Sequence, residues 1–184
     1  MRHLGVLLAA GRSTRFGTDD KLLAPWRGRP LIAWAAGALR DAGCDGLLAV
    51  VSSPAIGAAL PSGFALHHVA PGLPMSQSLR AALRVARDRR AGGLLLCLGD
   101  MPGITPDLLR ALLALPGSGA CVQGGRRLPP AVIAAGDFDS LLNLPDGDHG
   151  ARPLIAALPT HRLIPVTAAM AHDIDRPRDL DGPR

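Results

Sequence analysis

The segment Gly11-Arg12-Ser13-Thr14-Arg15-Phe16-Gly17, with Lys21 shortly after it, concentrates the residue types that handle phosphate. Glycine lets backbone N–H groups approach a ligand closely, and consecutive N–H groups form an anion nest. Arg12 and Arg15 bring planar donors, and Lys21 brings a compact positive charge. Lys21 is the only lysine among 20 basic residues. The spacing is not that of a P-loop, since no Gly-Lys-Ser/Thr follows Gly17, and it is not Gly-x-Gly-x-x-Gly. A triphosphate-binding loop is the expectation, with an ordinary basic loop after a strand as the alternative.

Two acidic positions and one serine pair complete the candidates. Asp100 directly follows the apolar run 94–99, so its carboxylate emerges at a sheet edge. An aspartate there either caps a helix or holds Mg²⁺ beside phosphates. Asp175 lies in the tail Asp173-Ile174-Asp175-Arg176-Pro177, where it serves as a second carboxylate or as an N-cap, with Asp179 as a first-turn residue. Ser76 and Ser78 either contact nucleotide or cap the helix that follows them.

The elements that must position these residues alternate between apolar runs and helical segments, the pattern of a mostly parallel sheet covered on both faces. Strands are expected at 4–10, 47–53, 64–70, 94–99, 120–123 and 161–166, with a further segment at 129–135 that begins on two prolines. Helices are expected after Pro30 to near Gly43, at 79–92 with Ser76 or a neighbour as N-cap, at 106–115 capped by Thr105, at 138–144 and at 153–158. In such sheets ligands bind beyond the carboxyl ends of strands. The 11–21 loop, the Ser76–Ser78 loop and Asp100 all fall there. The 184 residues are read as one domain, 1–184.

Composition narrows the partners. Apolar residues make up 48%, enough for a sizeable core, but aromatics are only 3%, too few for a base-stacking surface. The net charge of +5 suits a polyanionic ligand, yet the arginines are scattered rather than striped, so nucleic acid is not an expected partner. Cys44, Cys97 and Cys121 are far apart and odd in number, which argues against a disulfide framework or a thiolate metal site and suits the cytoplasm. No apolar run reaches 18 residues, so no membrane span is expected.

Five segments, in order, resemble the small nucleotidyltransferases related to molybdenum cofactor cytidylyl- and guanylyltransferases. They are LLAAGRSTRFGTDDKLL (7–23), PGLPMSQSLRAAL (71–83), LCLGDMPGI (96–104), DGDHGAR (146–152) and HDIDRPRDL (172–180). The resemblance implies a Rossmann-like three-layer α/β sandwich of the nucleotide-diphospho-sugar transferase type. It implies transfer of a nucleoside monophosphate to the terminal phosphate of molybdenum cofactor. Ala10, where the guanylyl branch usually has a second glycine, points to CTP as donor. Guanylyl transfer, another phosphorylated acceptor, and a non-catalytic cofactor carrier stand as alternatives.

Carried over residue by residue, the resemblance puts Leu8, Ala9, Ala10, Gly11, Arg12, Ser13, Arg15 and Lys21 on the nucleotide, joined by Ser76 and Ser78. Arg15, Lys21 and Asp100 are the catalytic set. Asp100 and Asp175 hold Mg²⁺, or Mn²⁺ in its place. Asp148, His149 and Arg152 face the pterin substrate, and a receiving molybdoenzyme is the implied protein partner. Two departures stand out: Leu128-Pro129-Pro130 where the family usually has Gly-His-Pro, and Arg176 where it usually has threonine.

Overall fold

The computed structural model describes residues 2–11, 16 and 20–181. The chain runs β1 (His3–Ala9), the hairpin β2 (Pro25–Trp26) and β3 (Arg29–Pro30), α1 (Leu31–Arg40), β4 (Gly46–Val51), α2 (Pro54–Ala58) and β5 (Phe64–His68). It continues with α3 (Met75–Asp88), β6 (Gly93–Leu98), α4 (Pro106–Leu113), β7 (Gly119–Gln123), β8 (Arg126–Ala134), α5 (Phe138–Leu142), α6 (Arg152–Ala157) and β9 (Leu163–Pro165).

Seven strands form one sheet in the order β5-β4-β1-β6-β8-β7-β9. Its first four strands are mutually parallel, β8 runs antiparallel to both β6 and β7, and β9 is parallel to β7. The mostly parallel sheet expected from the sequence is therefore present. Both faces are covered, which is why its central strands read as unbroken apolar runs. Along β1 the side chains alternate. Leu7 and Ala9 join the core cluster that contains Ile32 and Leu39 of α1 and Leu109 of α4. Leu4, Val6 and Leu8 join the cluster with Leu79 and Leu83 of α3, Phe138 of α5 and Ile155 of α6.

The connection order places the cleft. From β1 the chain moves outward to β4 and β5, then returns through α3 to β6 on the other side of β1. Loops after β1 and β6 therefore diverge, and a crevice opens between them at the carboxyl ends of the strands.

Three expectations are corrected. The helix expected from 79 begins at Met75, and its N-cap is Pro74, with no side-chain cap, rather than Ser76. Strand β8 starts at Arg126 and passes through Pro129 and Pro130. Its register with β7 jumps there, from Ala131 opposite Ala120 to Leu128 opposite Cys121, because prolines have no N–H to give a ladder. The β2–β3 hairpin was not expected at all. Its tip, Arg27-Gly28, has φ of 48° and 82°, positive at both central positions as a type I′ turn requires. Thr105 does cap α4, accepting from the Leu108 N–H.

Candidate active site

Two strand ends and the tail build the site. Beyond β1 the backbone continues through Ala10 to Gly11, and beyond β6 through Gly99 to Asp100. The Gly99 N–H donates to the Leu8 carbonyl at 3.0 Å, extending the β1–β6 pairing to the last residue before the carboxylate. The tail is tied to the same point, because the Ile174 N–H donates to the Asp100 carbonyl at 3.0 Å. Ile174 is fully buried with Trp26 and Leu31, so the hairpin's small aromatic core anchors this segment. Gly103 permits the approach: a Cβ there would lie 2.0 Å from the Ala169 carbonyl oxygen. With Ile174 turned inward, the extended backbone presents Asp173 and Asp175 on the other side, toward the cleft.

Lys21 joins from the opposite wall. It opens a short 3₁₀ turn, Lys21–Leu23, capped by the Asp20 carboxylate, which accepts from the Leu22 N–H at 3.0 Å. Leu22 is buried in the core, so the turn is fixed and the lysine side chain is directed inward. Its Nζ lies 2.7 Å from Asp100 Oδ2 and 2.9 Å from Asp175 Oδ1. Lys21 is only 7% exposed. Burial works to lower its pKa, but the charges and hydrogen bonds of Asp100 and Asp175 outweigh burial and hold the ammonium above its ordinary value. Asp100 is pushed above the usual carboxylate range by burial, helped by Asp173 and Asp175, against the pull of Lys21.

Asp100 caps no helix; its Oδ2 pairs with Lys21, and its Oδ1 is buried with no hydrogen-bond partner among the described residues. Asp175 is not an N-cap either. Instead Asp179 Oδ2 accepts from the Asp175 and Arg176 N–H groups, at 3.0 and 2.7 Å, leaving the Asp175 carboxylate on Lys21. Among the described residues no three His, Cys, Asp or Glu side chains form a ready metal cage. Two hard carboxylates, one with an orphaned oxygen, nevertheless fit Mg²⁺ or Mn²⁺, which is held by one or two carboxylates and completes its shell with phosphates and water.

The cleft, about 480 Å³, is lined by Leu8, Ala9, Ala10, Gly11, Lys21, Ser78, Asp100, Asp148, Arg152 and Asp175 of the residues expected in the site. Arg12, Ser13 and Arg15 lie outside the described residues. Asp173, Met75, Leu73 and Gly99 also line it and were not foreseen. For Asp173 a signal was available: the period-two pattern of acid, Ile174 and acid.

Ser76 is not in the lining. It is 2% exposed, and its hydroxyl accepts from the Gly147 N–H at 3.0 Å and donates to Asp146 at 3.4 Å. Gln77 and Arg80 also bind Asp146, and the Met75 N–H donates to Asp148 Oδ1 at 3.3 Å. The first turn of α3 thereby grips the 144–148 loop, which leads directly into His149 and Arg152. Gly150, at φ 51°, turns that loop against Met75.

A second cavity of about 510 Å³ adjoins the first, sharing Leu8, Met75, Leu98, Arg152 and Asp173. Its own walls are Leu128, Pro129, Ile155, Ala156, His149 and Arg126, among others. His149 lines this cavity and not the cleft, and its Nε2 is buried with no hydrogen-bond partner among the described residues. Arg127 is tethered by donating to the Ala156 and Leu158 carbonyls at 2.5 and 2.6 Å. The Leu128-Pro129 departure from the family pattern thus falls in a cavity wall.

An α/β sheet of this topology, with its cleft at the switch between β1 and β6, has the architecture of nucleotidyltransferases of the nucleotide-diphospho-sugar transferase type. The chain belongs to the family described as MobA-like NTP transferase domain, which it matches over residues 5–163. It is 34% identical over 170 residues to a molybdenum cofactor guanylyltransferase of Xanthomonas euvesicatoria pv. vesicatoria (strain 85-10), covering 90% of this chain and 84% of that one. It is 28% identical over 168 residues to the nicotine blue oxidoreductase of Paenarthrobacter nicotinovorans, covering 84% and 82%. Among solved structures, Rv0371c from Mycobacterium tuberculosis H37Rv superposes with a TM-score of 0.83 at 30% identity, covering 100% of both chains. A structure of Rv0371c in complex with manganese gives 0.82 at 28% identity, covering 98% and 97%.

Proposed function

We propose that this chain, as a single domain over residues 1–184, moves a nucleoside monophosphate from a nucleoside triphosphate to the terminal phosphate of molybdenum cofactor, releasing pyrophosphate. The observation that carries it is the ammonium of the sole lysine held between Asp100 and Asp175 where β1 and β6 end.

An oxygen of the acceptor's phosphate monoester attacks the α-phosphorus. A new P–O bond forms, the bond to the bridging oxygen of the β-phosphate breaks, and pyrophosphate departs with that electron pair. The monoester's second pKa is about 6, so the nucleophile is already largely a dianion at neutral pH, and no general base is needed. The difficulty is gathering anions, which calls for positioning and fixed charge. The backbone from Leu8 to Gly11, with Arg12, Ser13 and Arg15 after it, cradles the triphosphate. Lys21 neutralises its charge, and Ser78 contributes a hydroxyl at the cleft wall. Asp100 and Asp175 hold Mg²⁺, or the Mn²⁺ suggested by the manganese complex of Rv0371c. The cation supplies charge neutralisation at the α-phosphate and the leaving group. Arg152, which lines both cavities, holds the acceptor phosphate between them, with Asp148 on the cleft side and His149 on the pterin side.

Ala10 favours CTP as the donor. GTP is the second reading, favoured by the relative named a guanylyltransferase. A cytoplasmic location and hand-over to a receiving molybdoenzyme belong to the same proposal. The test is pyrophosphate release in the presence of molybdenum cofactor and Mg²⁺, with each nucleoside triphosphate in turn. Release with CTP supports cytidylyl transfer, and release with GTP alone replaces it with guanylyl transfer. Cofactor binding without pyrophosphate release from any triphosphate would leave a carrier.

A further inference from the structure

We propose that the sheet edge at β5 pairs with the same strand of a second copy of this chain, antiparallel about a two-fold axis at Leu66. β5 ends the strand order, with β4 on one side and no strand on the other among the described residues. Along a strand, the backbone groups of successive residues point to alternate sides. The Val69 N–H donates to the Val51 carbonyl at 3.0 Å, so Ala65 and His67 also turn their N–H and C=O groups toward β4. Phe64, Leu66 and His68 therefore turn theirs to the open edge. Among the described residues Leu66 is also the one large apolar side chain left exposed, at 44%. It rests against Gly57 of α2, where a Cβ would lie 2.9 Å from Leu66 Cδ1.

Open edges template pairing with other chains, and proteins blunt them with short strands, charge or proline. The opposite edge has all three. β9 is only three residues long and follows Arg162. The Val166 N–H donates to the Val122 carbonyl at 2.9 Å, which turns Leu163 and Pro165 outward, and proline has no N–H to offer. β5 has none of these devices. It is five residues long, an ordinary strand length. No Asp, Glu, Lys or Arg occurs between Asp45 and Arg80, a stretch that holds β4, α2, β5 and their connections. The same absence selects the occupant. A net charge of +5 opposes self-association, and two copies meet at least electrostatic cost where neither presents a formal charge. A partner of opposite charge gains nothing there. The strand is also self-complementary. With the axis at Leu66, Phe64, Leu66 and His68 of one copy stand opposite His68, Leu66 and Phe64 of the other. Every outward N–H and C=O group is then matched, and the two Leu66 side chains become cross-strand neighbours, as an isologous interface requires. The paired strands run in opposite directions, so the two clefts open at opposite ends of the joined sheet and stay free.

A contact of one strand and its flanks lies at the small end of interfaces, so a dissociation constant on the order of micromolar is expected. Sedimentation of the full chain should shift with concentration from the 19.0 kDa protomer toward twice that mass. Leu66→Lys and Leu66→Glu each set like charges opposite one another at the axis, and each should weaken the dimer by roughly tenfold or more. Mixed in equal amounts, the two variants should form a heterodimer, because Lys then faces Glu. Amide exchange of the wild type gives a separate readout. The Phe64, Leu66 and His68 amides should exchange more slowly at high concentration, whereas those of Ala65 and His67, already turned to β4, should not change. A wild type that stays a single protomer up to millimolar concentration overturns the proposal and leaves the edge to a strand of another protein. A dimer that both variants leave intact overturns it too, as do separated variants that fail to recombine. Should a variant fail to fold, the wild-type exchange decides: a Leu66 amide indifferent to concentration overturns the pairing.

Discussion

The two adjoining cavities share Leu8, Met75, Leu98, Arg152 and Asp173, yet they are built from different material. The first collects charge: Lys21, Asp100, Asp148 and Asp175 stand around backbone at the ends of β1 and β6. The second is walled mainly by Leu96, Leu128, Pro129, Ile155 and Ala156, drawn from β6, β8 and α6. A charged cleft suits a substrate that brings many negative charges and is recognised by neutralisation. An apolar cavity suits a ring system recognised by shape, where a changed side chain alters which ring fits. Under the proposed function, phosphate transfer belongs to the first region and the choice of acceptor to the second, with Arg152 lining both.

The largest effect is expected in the charged cleft. Lys21→Ala or Asp100→Asn should lower turnover in the pyrophosphate assay by roughly 10²–10³-fold, the usual loss when one preorganised electrostatic group is removed. Near-wild-type turnover would strip that cleft of its catalytic assignment. In the apolar cavity, Ala156→Phe fills space without adding a polar group. It should raise the acceptor KM roughly tenfold, about 1.4 kcal/mol, while the triphosphate KM stays unchanged. A rise in the triphosphate KM instead would show that the cavities are not separate.

A smaller effect is expected at the loop that leads into both. Asp146→Ala removes the carboxylate gripped by Ser76, Gln77 and Arg80, and should lower the melting temperature modestly. Desolvation pushes the Asp146 pKa up, but Arg80, Gln77 and Ser76 outweigh it and hold it below its ordinary value. A carboxylate lowered on folding contributes stability above its unfolded pKa of about 3.9, and that stability is lost as pH falls through the lowered folded value. The gap between wild type and variant in thermal melts should therefore be open at neutral pH and close in acid. A gap that persists unchanged in acid would point to packing rather than charge.

The smallest effect is expected from the thiols, which belong to neither cavity. Burial, with Asp45 adding to it, pushes Cys44 up to about 11; burial pushes Cys121 up to about 12 and Cys97 well above its ordinary value. Iodoacetamide near neutral pH should leave turnover unchanged. A thiol raised on folding contributes stability below its unfolded pKa of about 8.5, and loses it as pH climbs toward the folded value. Any thiol-linked loss of stability in melts should therefore begin above about pH 8.5 and grow with further alkali.

How far the site could be read ahead differed between the two regions in the same way. The cleft's components follow strands whose apolar runs are unmistakable, so Asp100 and the Gly11–Lys21 loop were placed at a sheet edge from residue type and pattern, while Leu8, Ala9 and Ala10 came from the family resemblance. Asp173 was passed over because its significance depends on Ile174 pointing into a core that includes Trp26, from a hairpin whose tip, Arg27-Gly28, lacks the usual Asn-Gly signal. Ser76 was read as a ligand or cap because a serine ahead of a helical pattern usually is one. Here its hydroxyl is taken up by a loop some 70 residues later in the chain. The second cavity had no local signature, since Leu128, Pro129 and Ile155 are ordinary apolar residues until β8 turns antiparallel against β6 and α6 packs over it.

By itself the sequence determined the alternation of strands and helices, the edge at which polar loops gather, and the identity of the one lysine and its two acidic candidates. Those depend on local pattern: hydrophobic period, turn chemistry and side-chain type. Only the tertiary structure decided that Lys21, Asp100 and Asp175, up to 154 residues apart, meet within hydrogen-bond distance. The strand order that folds β6 back beside β1 and the buried Ile174 that pins the tail to Asp100 bring them together. Both are packing outcomes over distances that no local pattern encodes.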